Sequence, residues 1–216
     1  MDGATFITRF REETMDEVMP PLWSDSLILR YLDEAQVEFC RRTEGIEDSV
    51  SSMCTVQVAE GDALVRLNPK IRKIRAATLM GVNRPLDVVT LEEARRNGVP
   101  MHSTHAGVPH TLVQGVGPAA AQLYPRPAVD VSVHLDVFRL PRTSIESPDD
   151  ETEVDDRYAQ TLMHYALHRA YVRPDPDTMD RARSEMMLGQ FLQEVEQARR
   201  EQGRLRRPTG ATVFSW

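Results

Sequence analysis

An α+β fold is predicted by where the two kinds of hydrophobic period fall along the chain. Apolar residues spaced three and four apart occupy both ends, and alternation with a period of two is confined to the middle. Clusters of proline and glycine separate the segments. N-terminal and C-terminal helices are therefore expected to pack on each other as a helical bundle. A small antiparallel β-sheet formed by the middle of the chain is expected to one side.

The first helix is expected over residues 3–18, with Phe6, Ile7, Phe10 and Met15 or Val18 towards one side. Met19-Pro20-Pro21 stops it, because proline lacks the backbone donor and disfavours helix in the residue before it. Ser24 has the chemistry of an N-cap, and Asp25 suits the positive end of a helix dipole. A second helix follows over 24–44, with Ile28, Tyr31 or Leu32, Ala35 and Phe39 on one face and Gly45 as its C-terminal cap.

From Ser51 the period changes. Thr55 to Ala59 and Ala63 to Leu67 flank Glu60-Gly61-Asp62 and predict a hairpin. Ile71 to Met80 reads as a third strand, although Ile71, Ile74 and Ala77 also suit a helix. Asn83-Arg84-Pro85 is a turn. Thr90 and Glu93 form a capping-box pattern that opens a short helix to Arg96, ended by Asn97-Gly98. Residues 98–109 read as a loop. Thr111 to Gln114, Ala121 to Tyr124 and Val131 to Leu140 complete a sheet placed within 51–140. In the last of these, Val131, Val133, Leu135 and Val137 alternate with Ser132, His134, Asp136 and Phe138. Pro125 and Pro127 forbid regular pairing between the last two runs and mark a turn.

An acidic loop, Glu146 to Asp156, precedes a helix over 156–173 in which Tyr158, Leu162, Tyr165 and Ala166 fall at helical spacing. Pro174-Asp175-Pro176-Asp177 is a sharp turn. The helix after it, over 177–200, carries Met179, Ala182, Met186, Leu188, Phe191, Leu192 and Val195. No internal repeat or long linker divides the chain, so residues 1–207 read as a single domain and 208–216 as an extended tail.

At 216 residues the chain can bury a substantial core, and its 41% hydrophobic and 27% charged fractions are ordinary for a soluble protein. No apolar run approaches the ~20 residues needed to span a bilayer. The N-terminus is amphipathic and carries acidic residues, unlike a signal or transit peptide, so the chain is expected to be made and used in a cytoplasm. Cys40 and Cys54 are the chain's two cysteines, too few for a disulfide framework, and are expected to be reduced packing residues. The net charge of −7 does not describe a protein that grips duplex DNA, which needs a basic face. It suits a surface along which DNA slides without sticking, or plain solubility.

Few residues point to chemistry. His164 and His168, four apart on a helix, share a side, but no third metal ligand is marked and the glutamate of a zinc-protease motif is missing. His102, His105 and His110 are irregularly spaced in a loop. The acids of Glu146 to Asp156 do not follow the alternating calcium-loop pattern. They read as a solvated, mobile connection, or as a surface that pairs with a basic partner. The chain shows no phosphate-binding glycine loop, nucleophile elbow or dinucleotide fingerprint. No cofactor is expected.

Three stretches carry a resemblance. They are WSDSLILRYLDEAQVEFCRR from Trp23 to Arg42, the Gly-Val-Pro-His-Thr-Leu-Val run at Gly107 that leads into Leu-Tyr-Pro-Arg-Pro, and the strand, acidic loop and apolar helix between Ala121 and Val172. Together they resemble the head-to-tail adaptor (head-completion) proteins of tailed bacteriophages, above all those of short-tailed phages. The resemblance implies a structural virion protein at the head–tail junction, made in the bacterial host and not an enzyme. It implies a ring, commonly of twelve copies, between the portal protein and a downstream tail or nozzle protein. Double-stranded DNA would pass through the lumen without sequence-specific binding. Adaptors of this kind insert terminal segments into the portal ring, which makes Arg204, Arg206, Arg207, Val213, Phe214 and Trp216 the candidate portal-docking residues. A tail-tube or head-closure component has the same composition, and a small enzyme with a hidden metal site is a third reading.

Overall fold

The computed structural model describes residues 1–205. In chain order the elements are α1 (Gly3–Thr14), α2 (Asp25–Arg42), β1 (Ile46–Asp48), β2 (Thr55–Val58), β3 (Leu64–Arg66), β4 (Ile71–Leu79), β5 (Arg84–Thr90), α3 (Leu91–Arg96), β6 (Ala106–Gly107), β7 (Thr111–Gly117), β8 (Ala120–Tyr124), β9 (Arg126–Pro127), β10 (Val131–Arg139), α4 (Ala159–Val172) and α5 (Arg181–Leu205). The chain divides into two compact units. One holds Met1–Glu44 and the chain from Pro141 onward, and the other is Gly45–Leu140.

The first unit is helical. The Asp2 side chain caps α1 by accepting from the Thr5 N–H. The helix ends at Thr14, four residues earlier than its periodicity predicts, because Met15 adopts a left-handed conformation with φ of 56°. Asp16 then holds the chain out of the helix. Its buried carboxylate accepts from the N–H groups of Leu22 at 2.7 Å and Trp23 at 3.2 Å and pairs with Arg11 at 2.9 Å. Helix α2 buries Ile28, Tyr31, Leu32, Ala35 and Phe39, the expected stripe, and Leu29 beside it. Thr43, not Gly45, closes it, with its hydroxyl donating to the Phe39 carbonyl at 2.8 Å. Gly45 serves the next segment, since a Cβ there would lie 2.6 Å from the Arg139 carbonyl oxygen.

Helix α4 packs on α5 and on α2, and α2 packs on α1. His168 meets Ser184 while His164, one turn earlier, meets Glu194, so α4 and α5 run antiparallel. Of the apolar residues of α5, Phe191, Val195 and Ala198 are buried, whereas Met186 and Leu192 are exposed. The helix starts at Arg181, not 177, and runs to Leu205. Edge-on contacts link Phe10 to Trp23 at 5.6 Å and Trp23 to Tyr171 at 6.1 Å.

The second unit is a curled, mostly antiparallel sheet, and it is not small. Eight strands pair in the order β1-β10-β4-β5-β7-β8-β3, with β2 also on β10. The sheet curls until β3 comes back beside β2, and Val58 and Val65 from those strands share one core with Leu112, Leu123, Val133 and Leu135. The alternation in β10 is realised from Val133 to Val137, with Val133, Leu135 and Val137 fully buried; Val131 is half-buried, and Phe138, expected on the other face, is buried as well.

The predicted hairpin over 55–67 does not form. Thr55–Val58 pairs with Val131 to His134 of β10, and Leu64–Arg66 pairs with Ala120 to Gln122 of β8. Gly61 does turn the chain at φ of 74°, but the two runs find stronger partners elsewhere. Strand β5 has no counterpart in the sequence reading, because Asn83-Arg84-Pro85 punctuates its start. Only Asn83, at φ of 48°, belongs to the turn, and Pro85 sits at the head of the strand, where a missing donor is tolerated. β5 runs parallel to β7, joined through α3, which makes the sheet mixed. The Thr90–Glu93 capping box is present with both of its hydrogen bonds. The Pro-Arg-Pro segment keeps β8 from pairing with β10, and Arg126–Pro127 instead bridges Ala106–Gly107.

Candidate partner-docking surfaces

Of the six residues proposed to dock on a portal, Arg204 lies on the last turn of α5 and is exposed. Arg206, Arg207, Val213, Phe214 and Trp216 lie outside the described residues. Around Arg204 the helix surface is charged, with Glu196, Arg200 and Glu201 lining the same shallow groove.

Sequence reasoning missed an apolar surface at the end of α1. Met15 is 88% exposed, Val18 77%, Met19 82% and Leu22 53%, so the loop offers four apolar side chains to the outside. The Asp16–Arg11 pair fixes its base, and Arg11 further donates to the Trp23 carbonyl at 3.0 Å and to Asp25 at 2.6 Å. The signal in the sequence was the Met-Pro-Pro break, but Met15 and Val18 read there as the inward face of a longer helix. Beyond Trp23, Arg30, Arg169 and Arg173 stand around a recess of about 710 Å³ that Ser24, Ser26 and Tyr31 also line.

The histidines of α4 are engaged with α5. His164 Nδ1 lies 3.1 Å from Glu194 Oε2. His168 Nδ1 lies 3.1 Å from the Ser184 carbonyl, and the Ser184 hydroxyl donates to the His168 carbonyl at 3.1 Å. Burial lowers the His168 pKa, against the Ser184 hydrogen bond, which raises it. Each histidine thus has its own partner on the facing helix. His110 stacks edge-on against Tyr124 at 5.7 Å and reaches the Thr111 hydroxyl at 2.8 Å. Among the described residues no three His, Cys, Asp or Glu side chains are grouped to hold a metal ion. Cys40 and Cys54 are buried, and burial raises the Cys54 pKa. No described helix is long and apolar enough to cross a membrane.

The acidic loop is held in place by its own hydrogen bonds and by the start of α1, against the expectation of a mobile connection. The Asp150 carboxylate accepts from Glu146 N–H at 2.9 Å and Ser147 N–H at 2.7 Å, and these bonds lower its pKa. The backbone is tied to α1 by Gly3 N–H to the Asp150 carbonyl at 2.9 Å and Ala4 N–H to the Pro148 carbonyl at 2.8 Å. In the sheet unit, buried Asp48 pairs with Arg139 and accepts from Val50 and Ser51 N–H at 3.0 Å each. Burial pushes the Asp48 carboxyl up, but these hydrogen bonds outweigh it and hold the group far below the usual carboxylate range.

The described surfaces present charged and apolar side chains but group no metal-binding cluster, and the class follows from comparison with a known family. The chain belongs to the SU10 adaptor protein family, whose match runs over residues 1–211. This is a phage head–tail adaptor family, and its role is structural. A search of curated proteins finds no match.

Proposed function

We propose that the protein is the ring-forming head-to-tail adaptor of a tailed phage of the short-tailed type. Twelve copies sit between the portal protein and a downstream tail or nozzle protein, the N-terminal and C-terminal helices within each copy form a helical bundle, and the ring extends the DNA channel. The observation that carries this reading is the family match across nearly the whole chain. The net charge of −7 is compatible with a lumen through which DNA slides without sequence-specific binding. The segment with Arg204, Arg206, Arg207, Val213, Phe214 and Trp216 is the portal anchor, since arginine and aromatic residues are favoured at interface centres. The chain performs no reaction; its work is assembly, with segments ordering as they bind.

Mass measurement by light scattering, with and without portal protein, tests the proposal. The free chain is expected to be a monomer or weak oligomer and to form a ring on the portal. A stable ring from the isolated chain would remove partner-triggered assembly. Binding to tail proteins with none to portal would transfer the chain to a tail-tube or head-closure role.

A further inference from the structure

Two surfaces of opposite charge, one on each unit, are built on backbone that holds them in place. The cationic one is the first half of β4 with Lys70, the residue before it. Lys70, Arg72, Lys73 and Arg75 place four cations within six residues, and Lys70 and Lys73 are the two lysines of the chain. The register of β4 against β10 shifts twice here. Ile71 lies opposite Arg139 and Lys73 opposite Phe138, then Ile74 opposite Val137 and Ala76 opposite Asp136. Arg72 and Arg75 are therefore the inserted residues of two bulges. A bulge breaks the strict alternation of side chains and re-aims the residue it adds. This accounts for Arg72, Lys73 and Arg75 all being exposed while Ile74 between them is buried. Glu47 of β1 answers Arg75.

The anionic surface is the turn that Asp150 pins. Glu146, Asp149 and Glu151 are exposed on it, and the hydrogen bonds to α1 fix the backbone that carries them. The charge of the whole chain is divided in the same sense. The helical unit has 24 acidic residues against 16 basic ones, whereas the sheet unit has 9 against 10.

We propose that the bulged β4 strip of one copy docks on the Glu146–Glu151 turn of a neighbouring copy. The contact joins two different patches, so it is head-to-tail, the kind that generates rings instead of closed pairs. Charge complementarity selects the partner. A chain of net charge −7 repels a polyanion at long range, while every neighbouring copy brings one acidic turn for each basic strip. The inference rests on the reading that copies assemble side by side, and it names the surfaces by which they do so.

Zero-length carbodiimide coupling tests it, because the side-chain amines available are Lys70 and Lys73 alone. The full chain, as an equal mixture of isotopically light and heavy protein, is coupled both at high concentration by itself and on portal protein. Mixed-isotope peptides joining Lys70 or Lys73 to Glu146, Asp149 or Glu151 are expected. Their yield should fall about tenfold in roughly 1 M salt, where the Debye length is about 3 Å. A lysine variant with Lys70→Glu and Lys73→Glu that also carries Arg72→Glu, so that the strip becomes net acidic, and a second with Glu146→Lys, Asp149→Lys and Glu151→Lys, should each assemble poorly alone. Mixing the two restores opposite charges at every contact and should restore assembly. If copies gather on the portal without these cross-links, or the mixture fails to rescue, the proposed contact is wrong while the ring reading stands. If copies do not gather on the portal, the ring reading fails, and absence of the cross-links from the concentrated free chain then overturns the contact as well. Retardation by double-stranded DNA that the lysine variant abolishes, with no cross-links between copies, would reassign the strip to DNA and overturn the proposal.

Discussion

Asp16 shows how one side chain decides the path of a segment. It lies in a stretch whose apolar spacing continues α1, yet its carboxylate takes up two backbone donors and the Arg11 guanidinium. Replacing Asp16 by Ala leaves Arg11 and those N–H groups without their buried acceptor. A loss of about 3 kcal/mol is expected, read as a lower midpoint in urea unfolding. Unchanged stability would show that the loop does not depend on this pair. His168 acts through its neutral form. Its pKa is lowered in the fold by burial, so the unfolded chain binds the proton more readily. Stability from this group is complete above its unfolded pKa of about 6.5 and is lost as pH falls through that value. Wild type should therefore melt at progressively lower temperature from about pH 7 to pH 5, and His168→Gln should flatten part of that slope.

At the scale of elements, α5 depends on a narrow stripe. Phe191 is fully buried and its ring lies 5.0 Å from that of Tyr165, while Met186 and Leu192 face outward. Phe191→Ala should cost about 3–5 kcal/mol, and amide exchange should accelerate along α5 more than in the sheet unit. Met186→Ala, on the exposed side, should change stability by no more than about 0.5 kcal/mol. The sheet behaves differently, because each strand depends on partners distant in sequence. β10 touches β1, β2 and β4, so its apolar alternation supports three pairings at once. A single outward-to-inward slip there would move Val133, Leu135 and Val137 out of the core together.

For the whole molecule, the tail deletion is the decisive experiment on portal attachment. Removing Pro208 to Trp216 should leave the melting temperature unchanged, because α5 already buries Phe191, Val195 and Ala198 ahead of the segment removed. Portal binding should weaken by more than an order of magnitude, since a buried interface aromatic is worth about 2 kcal/mol or more. Co-sedimentation of the truncated chain with portal at full stoichiometry would move the anchor elsewhere. The exposed loop of Met15, Val18, Met19 and Leu22 is then the next surface to alter.

By itself the sequence determined the α+β class, the stripe of α2, the existence of α4 with Leu162 and Ala166 but not Tyr158 or Tyr165 on its buried face, the Thr90–Glu93 capping box, the alternation of β10 as far as Val137 and the adaptor resemblance. The resemblance apart, which is carried by stretches spread from Trp23 to Val172, these are written in residues a few positions apart, where period and side-chain chemistry act directly on the local backbone. Tertiary structure decided what depends on distant neighbours. It chose β10 and β8 as the partners of the two runs around Gly61, extended β5 through the Pro85 signal, and bulged β4 at Arg72 and Arg75. It also turned Met15 outward and fastened the acidic turn to α1. A strand satisfies its backbone only through another strand, and a carboxylate can collect donors from anywhere the fold brings them, so neither outcome is encoded in a local period.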